Sequence, residues 1–134
     1  MARSETRVMT NTDPDFYPVM GPYLANRTVA KSLGGPIWDD QGKTWTVRLD
    51  ETGHALGFVA ITARGKIESL YTLPGRDQLR TALVKAAVKA AGDRELTAVV
   101  SHSRVAAHTA AGFTETSHTA NFTHMIRPAG GGTS

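Results

Sequence analysis

Two strand-like segments on either side of an amphipathic helix restrict the fold of this chain more than any other feature. Residues 67–73 and 96–100 have the composition of strands, and between them Leu79, Leu83 and Ala86 recur at helical spacing. A strand, a helix and a strand in this order predict a crossover that places the two strands parallel and adjacent, with a right-handed connection. The sheet of this protein is therefore expected to contain a parallel pair.

The residues before this unit predict an antiparallel meander of three strands. Residues 43–49 alternate between apolar and polar side chains, as in a half-buried strand, whereas residues 55–62 are apolar on both faces, as in a central strand. Turn sequences separate these two runs from each other and from residues 67–73. Because the three strands follow one another through short turns, we expect them to pair antiparallel.

The segment 15–33 predicts two short helices. Its apolar residues have broadly helical spacing, but Pro18 and the Gly21-Pro22 pair are expected to divide it into two pieces. Residues 34–36, with the sequence GGP, are expected to end the second piece. Two residues are candidate N-caps of the first helix: Thr12 and Asp13.

The ends of the chain predict further strands and a tail. A short edge strand is expected at residues 7–10, and a C-terminal hairpin at residues 113–115 and 121–127. We expect residues 1–127 to form a single domain, since a chain of this length can bury one ordinary core. The Gly-rich residues 128–134 are expected to form a flexible tail.

Composition excludes several classes of protein. The 134 residues include no Cys, which excludes disulfides, thiolate nucleophiles and zinc sites that depend on Cys. No apolar run reaches the about 18 residues that a membrane-spanning helix needs, and the N-terminal charges are not followed by the apolar region of a secretory signal. We therefore expect a soluble, cytoplasmic protein. The His residues form no helical i, i+4 pair, so we expect no metal site.

Three motifs occur in the order and spacing of a known superfamily. They are residues 45–49 followed by Gly57-Phe58-Val59, residues 70–76 (LYTLPGR) and residues 106–113 (AAHTAAGF). Over roughly residues 14–127 the chain resembles the GNAT superfamily of acyl-CoA-dependent N-acyltransferases. The resemblance implies an α+β fold: a mixed sheet with an antiparallel N-terminal meander, a β-α-β crossover with a splayed parallel pair and a C-terminal hairpin, flanked by helices.

The resemblance also implies acetyl-CoA, or another acyl-CoA, as cosubstrate, and no metal. In the family, the strand that corresponds to residues 67–73 separates from its parallel neighbour and pairs with the pantetheine arm, and the following loop and helix start hold the pyrophosphate. The residues implied for cofactor binding are Leu70, Tyr71, Thr72, Leu73, Gly75, Arg76, Asp77, Gln78, Leu79, Arg80, Thr81 and Ser101. A helix-capping role is the alternative for Ser101 and for Ser103.

The cofactor loop departs from the family pattern Q/R-x-x-G-x-G/A. Gln78 and Arg80 occupy the positions of the two later glycines, and Asp77 adds a negative charge. The side chains of Arg76 and Arg80 are therefore expected to contact the phosphates in place of backbone amides. The alternative is that this degenerate loop has lost the cofactor.

Acyl transfer to an amine needs a base for the ammonium proton and an acid for the departing thiolate. The resemblance implies Glu68 as the base, because it lies on the strand that would flank the thioester. His108 occupies the position where many relatives carry the Tyr that protonates the thiolate, and Tyr71 is the alternative acid. Each residue has a structural alternative: an exposed strand position for Glu68, a surface or helix-face position for His108, and a core position for Tyr71.

Aromatic residues near the N-terminus are candidates for the wall of an acceptor pocket, because the first helices usually shape that side in the family. Packing in the core is the alternative for most of them. These residues are Phe16, Tyr17, Tyr23, Trp38 and Trp45.

We therefore predict an enzyme that transfers an acetyl (acyl) group from acyl-CoA to a primary amine of a small molecule or peptide. The attack is direct, because no Cys is present to form an acyl intermediate. Two alternatives remain open: a nucleic-acid base-modifying enzyme similar to the phage protein Mom, and a non-catalytic GNAT-like module that binds a protein or peptide. The net charge is only +3 and the chain has no block of like charges, so no motif in the sequence supports a nucleic-acid partner. The edge strand of the C-terminal hairpin is compatible with a homodimer.

Overall fold

The computed structural model describes residues 5–33, 37 and 42–129. The strands within these residues are β1 (Glu5–Met9), β2 (Thr44–Leu49), β3 (Ala55–Ile61), β4 (Lys66–Thr72), β5 (Leu96–Ser101), β6 (Thr114–His118) and β7 (Phe122–Arg127). The helices are α1 (Phe16–Leu24), α2 (Arg27–Leu33), α3 (Leu79–Ala91) and α4 (Val105–Thr109), and a 3₁₀ turn (His102–Arg104) leads into α4. All seven strands form one mixed sheet in the order β1-β2-β3-β4-β5-β7-β6. The predicted α+β fold, with its meander, crossover and terminal hairpin, is confirmed.

The N-terminal strands form the predicted antiparallel meander. β1 pairs with β2, β2 with β3 and β3 with β4, all antiparallel. β3 is buried on both faces, since Phe58 and Ala60 belong to one apolar cluster and Val59 and Ile61 to another. Because alternate residues of a strand point to opposite faces, these two clusters lie on opposite sides of the sheet.

The two faces of the sheet are covered by different helices. The cluster that contains Phe58 includes Phe16 and Met20 of α1 and Val29 of α2. The cluster that contains Val59 includes Leu83, Val84 and Ala87 of α3 and Ala107 of α4. The helical spacing of these buried α3 residues is the reason that the segment folds as a helix and packs on the sheet.

The predicted break of the N-terminal helical segment at Pro18 and Gly21-Pro22 is wrong. α1 runs through these positions. Pro18 lies in the first turn, where a backbone N–H has no partner within the helix, so its missing N–H costs nothing. The break comes at Asn26, whose side-chain oxygen accepts the N–H of Thr28 at 2.9 Å and of Val29 at 3.1 Å and so caps α2.

The predicted N-caps of α1 are also wrong. Asp15 occupies the N-cap position, without a side-chain capping hydrogen bond. Asp13 instead accepts the N–H of Thr10 at 2.8 Å through its carboxylate and closes a turn before the helix. Thr12 hydrogen-bonds to the Thr10 hydroxyl at 2.8 Å. The predicted helix stop at residues 34–36 lies outside the described residues.

The C-terminal hairpin enters the sheet through its second strand. β7 pairs antiparallel with β5 over six residue pairs, and β6 pairs only with β7, so β6 forms the outer edge. All five residues of β6 are exposed. Among the described helices, none is both long enough and apolar enough to cross a bilayer. Residues 130–134 of the predicted tail lie outside the described part of the chain.

Candidate active site

The parallel strands β4 and β5 pair only where they begin. Their register consists of Lys66 with Thr97 and Ile67 with Ala98, and no later residues pair. On its other side β4 continues to pair with β3 as far as Thr72. The backbone edges of β4 beyond Ile67 and of β5 beyond Ala98 therefore face a gap, as the splayed pair of the predicted fold requires.

A β-bulge in β4 changes which side chains face each side of the sheet at this gap. Ser69 has a φ of 59°, and β4 has one more residue than β3 between the pairs that end at Glu68 and Tyr71. As a result Ile67 and Leu70 both reach the cluster under α3, while Tyr71 joins the cluster on the opposite face. Regular alternation would have placed residues 67 and 70 on opposite faces.

The gap forms a cleft with a volume of about 230 Å³. Its walls come from β4, β5, the 3₁₀ turn, α4, the end of α2 and the start of β7. The described residues that line it are Lys31, Leu33, Ile67, Glu68, Ser69, Leu70, Val99, Val100, Ser101, Arg104, His108 and Phe122. Of the residues predicted from the sequence, the structure brings Glu68, Leu70, Ser101 and His108 together here.

Tyr71 lies apart from this cleft. Its ring is 5.4 Å from that of Phe58 and 6.2 Å from that of Tyr23, within the aromatic cluster on the α1 face. Tyr71 is buried and is not among the described residues that line the cleft. This position corresponds to the core alternative that the sequence left open for it.

Glu68 is held by an ion pair with a buried lysine. Lys43 Nζ lies 2.7 Å from Glu68 Oε2, and the Lys43 side chain is 3% exposed whereas that of Glu68 is 29% exposed. The ammonium also lies 5.7 Å from the centre of the Trp45 ring. Sequence reasoning missed Lys43, because it directly precedes β2 and is distant from Glu68 along the chain.

His108 is fully buried and yet forms part of the cleft wall. Its Nδ1 lies 2.9 Å from the backbone oxygen of Arg104. Since a carbonyl oxygen only accepts, Nδ1 carries a proton in this hydrogen bond. Burial lowers the pKa of His108, and the charge of Arg104 lowers it further, against the opposing effect of the backbone hydrogen bond. The ring is therefore neutral near pH 7, which makes Nε2 an acceptor.

Nε2 of His108 is buried without a hydrogen-bond partner among the described residues. A buried polar atom of this kind is costly unless a further group meets it. For the role that the resemblance implies, protonation of a thiolate, Nε2 must first take up a proton, and burial of the ring opposes that step.

The loop before α3 offers both backbone and side-chain donors. The N–H groups of Arg76, Leu79 and Arg80 already donate to carbonyl oxygens of the same loop at 2.9 to 3.1 Å. In the described residues, no hydrogen bond uses the N–H of Asp77 or Gln78. These two amides lie at the start of a 13-residue helix, where the helix dipole favours negative charge.

The loop also contains a glycine with a positive φ and an arginine that forms an ion pair. Gly75 adopts a φ of +83°, a conformation that favours glycine, and nothing lies within 4 Å of a Cβ built on it. Arg80 forms an ion pair with Asp77, Nη2 to Oδ1, at 3.4 Å. Asp77 thus orients Arg80, and Arg76 is exposed beside them.

Arg104 is a site residue that sequence reasoning missed. It lines the cleft, and its Nη1 donates to Ser101 Oγ at 3.2 Å. Burial lowers the pKa of Arg104, and so does the nearby charge of Arg80, while Asp77 acts in the opposite direction. The Nε atoms of Arg80 and Arg104 are both buried without hydrogen-bond partners within the described residues. The two arginines therefore form a positive pair beside the cleft, a combination suited to an anion.

Neither serine caps the helical segment that follows β5. The helix α4 has Arg104 in its N-cap position, and the 3₁₀ turn has Ser101, but neither forms a side-chain capping hydrogen bond. Ser101 Oγ and Ser103 Oγ lie 3.2 Å from each other instead. The capping alternative is wrong, since the two hydroxyls hydrogen-bond to each other and Ser101 Oγ also accepts from Arg104.

The aromatic residues that were candidates for the acceptor pocket pack mainly in the core. Phe16 and Trp45 are fully buried, with ring centres 5.8 Å apart. The Tyr23 hydroxyl donates to the backbone oxygen of Ala55 at 2.8 Å. Tyr17 is exposed, and Trp38 lies outside the described residues. The aromatic side chain at the cleft opening is that of Phe122, which is half exposed.

Comparison with known proteins gives no relative by sequence but many by structure. No protein-family model matches the chain, and no curated protein matches it significantly. A crystal structure of an acyl-CoA N-acyltransferase from Pseudomonas aeruginosa superposes with a TM-score of 0.70 at 14% identity, over 93% of this chain and 99% of that chain.

Two further solved structures are similar to this chain. Spermidine N-acetyltransferase from Vibrio cholerae, solved with CoA and spermine, has a TM-score of 0.65 at 13% identity and covers 92% of this chain and 94% of that one. A GNAT superfamily phosphinothricin acetyltransferase from Sinorhizobium meliloti, solved with AcCoA, has a TM-score of 0.60 at 22% identity, over 97% of this chain and 90% of that chain. Together with the strand order and the splayed parallel pair, these likenesses show that the chain has the fold of the GNAT superfamily of acetyltransferases.

Proposed function

We propose that this protein is an N-acyltransferase that transfers an acetyl (acyl) group from acyl-CoA to a primary amine by direct attack. The observation that carries the proposal is the gap between β4 and β5, which opens after two residue pairs and is lined by Glu68 and His108. Unpaired backbone groups on two facing strand edges need a partner that offers amides in an extended form. The pantetheine arm of CoA has that chemistry.

Arg104 on the cleft wall and the nearby start of α3 have donors that fit the phosphates of such a ligand. Arg80 and Arg104 each have a buried Nε without a partner in the described residues, and the N–H groups of Asp77 and Gln78 are free of hydrogen bonds there. Guanidinium groups bind phosphate oxygens through paired, charge-assisted hydrogen bonds. We therefore assign the arginines the role that loop glycines have elsewhere in the family.

The cleft wall carries one carboxylate among its described residues, that of Glu68, which we assign to the acceptor amine. The reaction forms a bond from the amine nitrogen to the thioester carbon and breaks the bond from that carbon to sulfur. The nitrogen loses a proton in this process, and Glu68 is the carboxylate on the described cleft wall that can accept it. Backbone N–H groups that β4 directs into the gap are suited to stabilise the charge on the thioester oxygen.

The sulfur takes up a proton as the thiolate leaves, and we assign His108 to this step. Its Nε2 is unprotonated and has no hydrogen-bond partner among the described residues, so it first takes up a proton from water that reaches the cleft, passes that proton to sulfur and returns to the neutral form. A thiol is a good leaving group because its pKa is close to 8.5. The contribution of His108 is therefore expected to be smaller than that of Glu68.

Two measurements on the full chain test the proposal. In thermal unfolding, acetyl-CoA should raise the melting temperature by an amount that grows with its concentration. In a thiol-release assay, acetyl-CoA should be consumed with at least one member of a panel that holds spermidine, a neutral alkylamine and an amino acid amide. No rise in melting temperature at millimolar acetyl-CoA would contradict the proposed cosubstrate.

The same measurements separate the alternatives that the sequence left open. Binding of acetyl-CoA without transfer to any amine would favour a non-catalytic binding module. Duplex DNA that binds tightly, with an affinity that falls steeply as salt rises, would favour a nucleic-acid substrate. Transfer to an amine together with indifference to DNA supports the proposal made here.

A further inference from the structure

The side chain of Lys43 is almost completely buried, which is rare for a lysine. It enters the α1 face of the sheet just before β2, with Nζ near the face of the Trp45 ring, and reaches Glu68 of β4. The 2.7 Å contact crosses one strand, because β3 lies between β2 and β4. The lysine therefore contacts the carboxylate without being one of the described residues that line the cleft.

The two members of this ion pair have different surroundings. Glu68 lines the cleft and is 29% exposed, whereas Lys43 is 3% exposed and is not among the described residues of the cleft wall. The contact uses Oε2 of the carboxylate, and an ionised carboxylate keeps further acceptor sites on both of its oxygens. The pair thus joins a buried ammonium group to a carboxylate that a group within the cleft can reach.

Stability alone is a weak reason to retain such a pair. Burial of the Lys43 ammonium removes its hydration, and apolar residues of similar volume often replace a buried ion pair without loss of stability. A side chain that can rotate, as a free Glu on a strand does, would place its carboxylate in several positions. An ammonium fixed beneath it restricts those positions.

We propose that Lys43 is a positioning residue, which fixes the Glu68 carboxylate at the cleft wall in the place where the acceptor's ammonium group must deliver its proton. This inference rests on the proposed function. A carboxylate held in this place is a more effective base, because proton transfer requires the donor and acceptor atoms to lie within hydrogen-bonding distance. Lys43 contributes to turnover of the acceptor and not to binding of acyl-CoA, whose phosphates lie toward Arg80 and Arg104 in the proposed complex.

Steady-state kinetics of four variants test this role. The variants are Lys43→Met, which keeps the length and removes the charge, Lys43→Arg, Glu68→Gln and the double variant Lys43→Met with Glu68→Gln. We expect Lys43→Met to lower kcat by about tenfold or more and to leave the Kd of acetyl-CoA within about twofold. Lys43→Arg, which keeps the positive charge, should retain more of the wild-type kcat than Lys43→Met does. In the Glu68→Gln background the same substitution should lower kcat no further.

Matched controls separate positioning from a structural role. Lys66→Met removes an exposed lysine at the start of β4 and should leave kcat unchanged. If Lys43 had only a structural role, its replacement would lower the melting temperature and would reduce kcat by the same factor with and without Glu68. Additive losses of kcat in the double variant would therefore overturn the inference. If Lys43→Met fails to fold, Lys43→Gln, which is uncharged but can donate one hydrogen bond, replaces it in the same cycle.

A structural readout keeps this inference distinct from the proposed function. Crystals of the wild type and of Lys43→Met should show the Glu68 carboxylate in different positions. If the carboxylate does not move, the inference is overturned even when the enzyme is active. If the carboxylate moves but no amine is acetylated by the wild type, the proposed function fails while the positioning contact stands.

Discussion

The two sides of β4 differ in a way that explains the architecture of the site. On one side, β3 pairs with β4 from Ile67 to Thr72 and its Gly57 lets Tyr71, Thr72 and α3 approach closely. On the other side, β5 pairs with β4 at two positions and then diverges. The backbone N–H and C=O groups of β4 are therefore paired on the side of β3, and beyond Ile67, in the part of the chain that the structure describes, they are unpaired on the side of β5.

Stability and binding are therefore separated across a single strand. The side of β4 that faces β3 is closely packed, so a small added volume there should be costly. The side that faces β5 is a cleft whose polar side chains should affect chemistry and binding more than folding.

The largest effect is expected from Glu68→Gln on the open side. Loss of the carboxylate should lower kcat by about 100-fold or more, because general base catalysis contributes about 10²- to 10⁴-fold. The Kd of acetyl-CoA, measured by calorimetry, should not change. Glu51→Gln, in the exposed turn between β2 and β3, is the control and should retain full activity. A Glu68→Gln enzyme with normal kcat would remove Glu68 from the mechanism.

A smaller effect, on folding, is expected from Gly57→Ala on the closely packed side. The added Cβ would lie 2.7 Å from the backbone oxygen of Tyr71 and 3.0 Å from Leu83 Cδ1. Such overpacking lowers the free energy of unfolding by about 1–3 kcal/mol, which urea denaturation can measure.

Gly21→Ala in α1 is the matched control for that substitution. Nothing lies within 4 Å of a Cβ built on Gly21, and alanine favours a helix over glycine by about 1 kcal/mol. This variant should therefore be as stable as the wild type or more stable. Equal destabilisation by Gly57→Ala and Gly21→Ala would mean that close packing around Gly57 does not determine the loss of stability there.

Arg104→Gln should weaken binding of acetyl-CoA by about tenfold, since a hydrogen bond to a charged group contributes about 1.5–3 kcal/mol. Its guanidinium lies at the cleft beside Arg80, so its removal should also reduce the dependence of Kd on salt. Calorimetry at two salt concentrations measures both effects. Arg64→Gln, in the exposed turn before β4, should change neither. Unchanged affinity in Arg104→Gln would place the phosphates elsewhere.

The smallest effect is a pH dependence of stability that arises from His108. Burial lowers its pKa in the folded protein, so the unfolded chain binds more protons as the pH falls below about 6.5. The free energy of unfolding should therefore decrease between pH 7 and pH 5, and the decrease should be smaller in His108→Gln. His124→Gln, at an exposed position of β7, should behave as the wild type does. Identical pH profiles for all three proteins would contradict the buried, neutral imidazole.

The sequence predicted most of the fold because the periodicities of its apolar residues are long and regular. The run of residues 55–62 and the helical spacing around Leu83 leave few alternatives to a central strand and a packed helix. Prediction failed where one side chain decides a boundary. Pro18 was expected to break a helix that tolerates it in its first turn, and the Asn26 cap that starts α2 depends on side-chain hydrogen bonds that periodicity does not report.

The site was predicted less completely because its contacts join residues that are distant in the chain. Glu68 and His108 were expected from the order of motifs, and both line the cleft. Lys43 and Arg104 were not expected, since their positions depend on strand order and on the turn after β5. One signal could have identified Arg104: it is a charged residue that follows the predicted strand closely, three positions after Ser101.

The position of β7 between β5 and β6 bears on how the protein emerges from the ribosome. A nascent chain of 118 residues contains β1 to β6 but lacks the strand that supports β5 over six residue pairs and joins β6 to the sheet. The strand that supports β5 is thus made after both strands that border the gap. Because pairings between strands that are distant in the chain form slowly, we expect the cleft to become ordered after the meander.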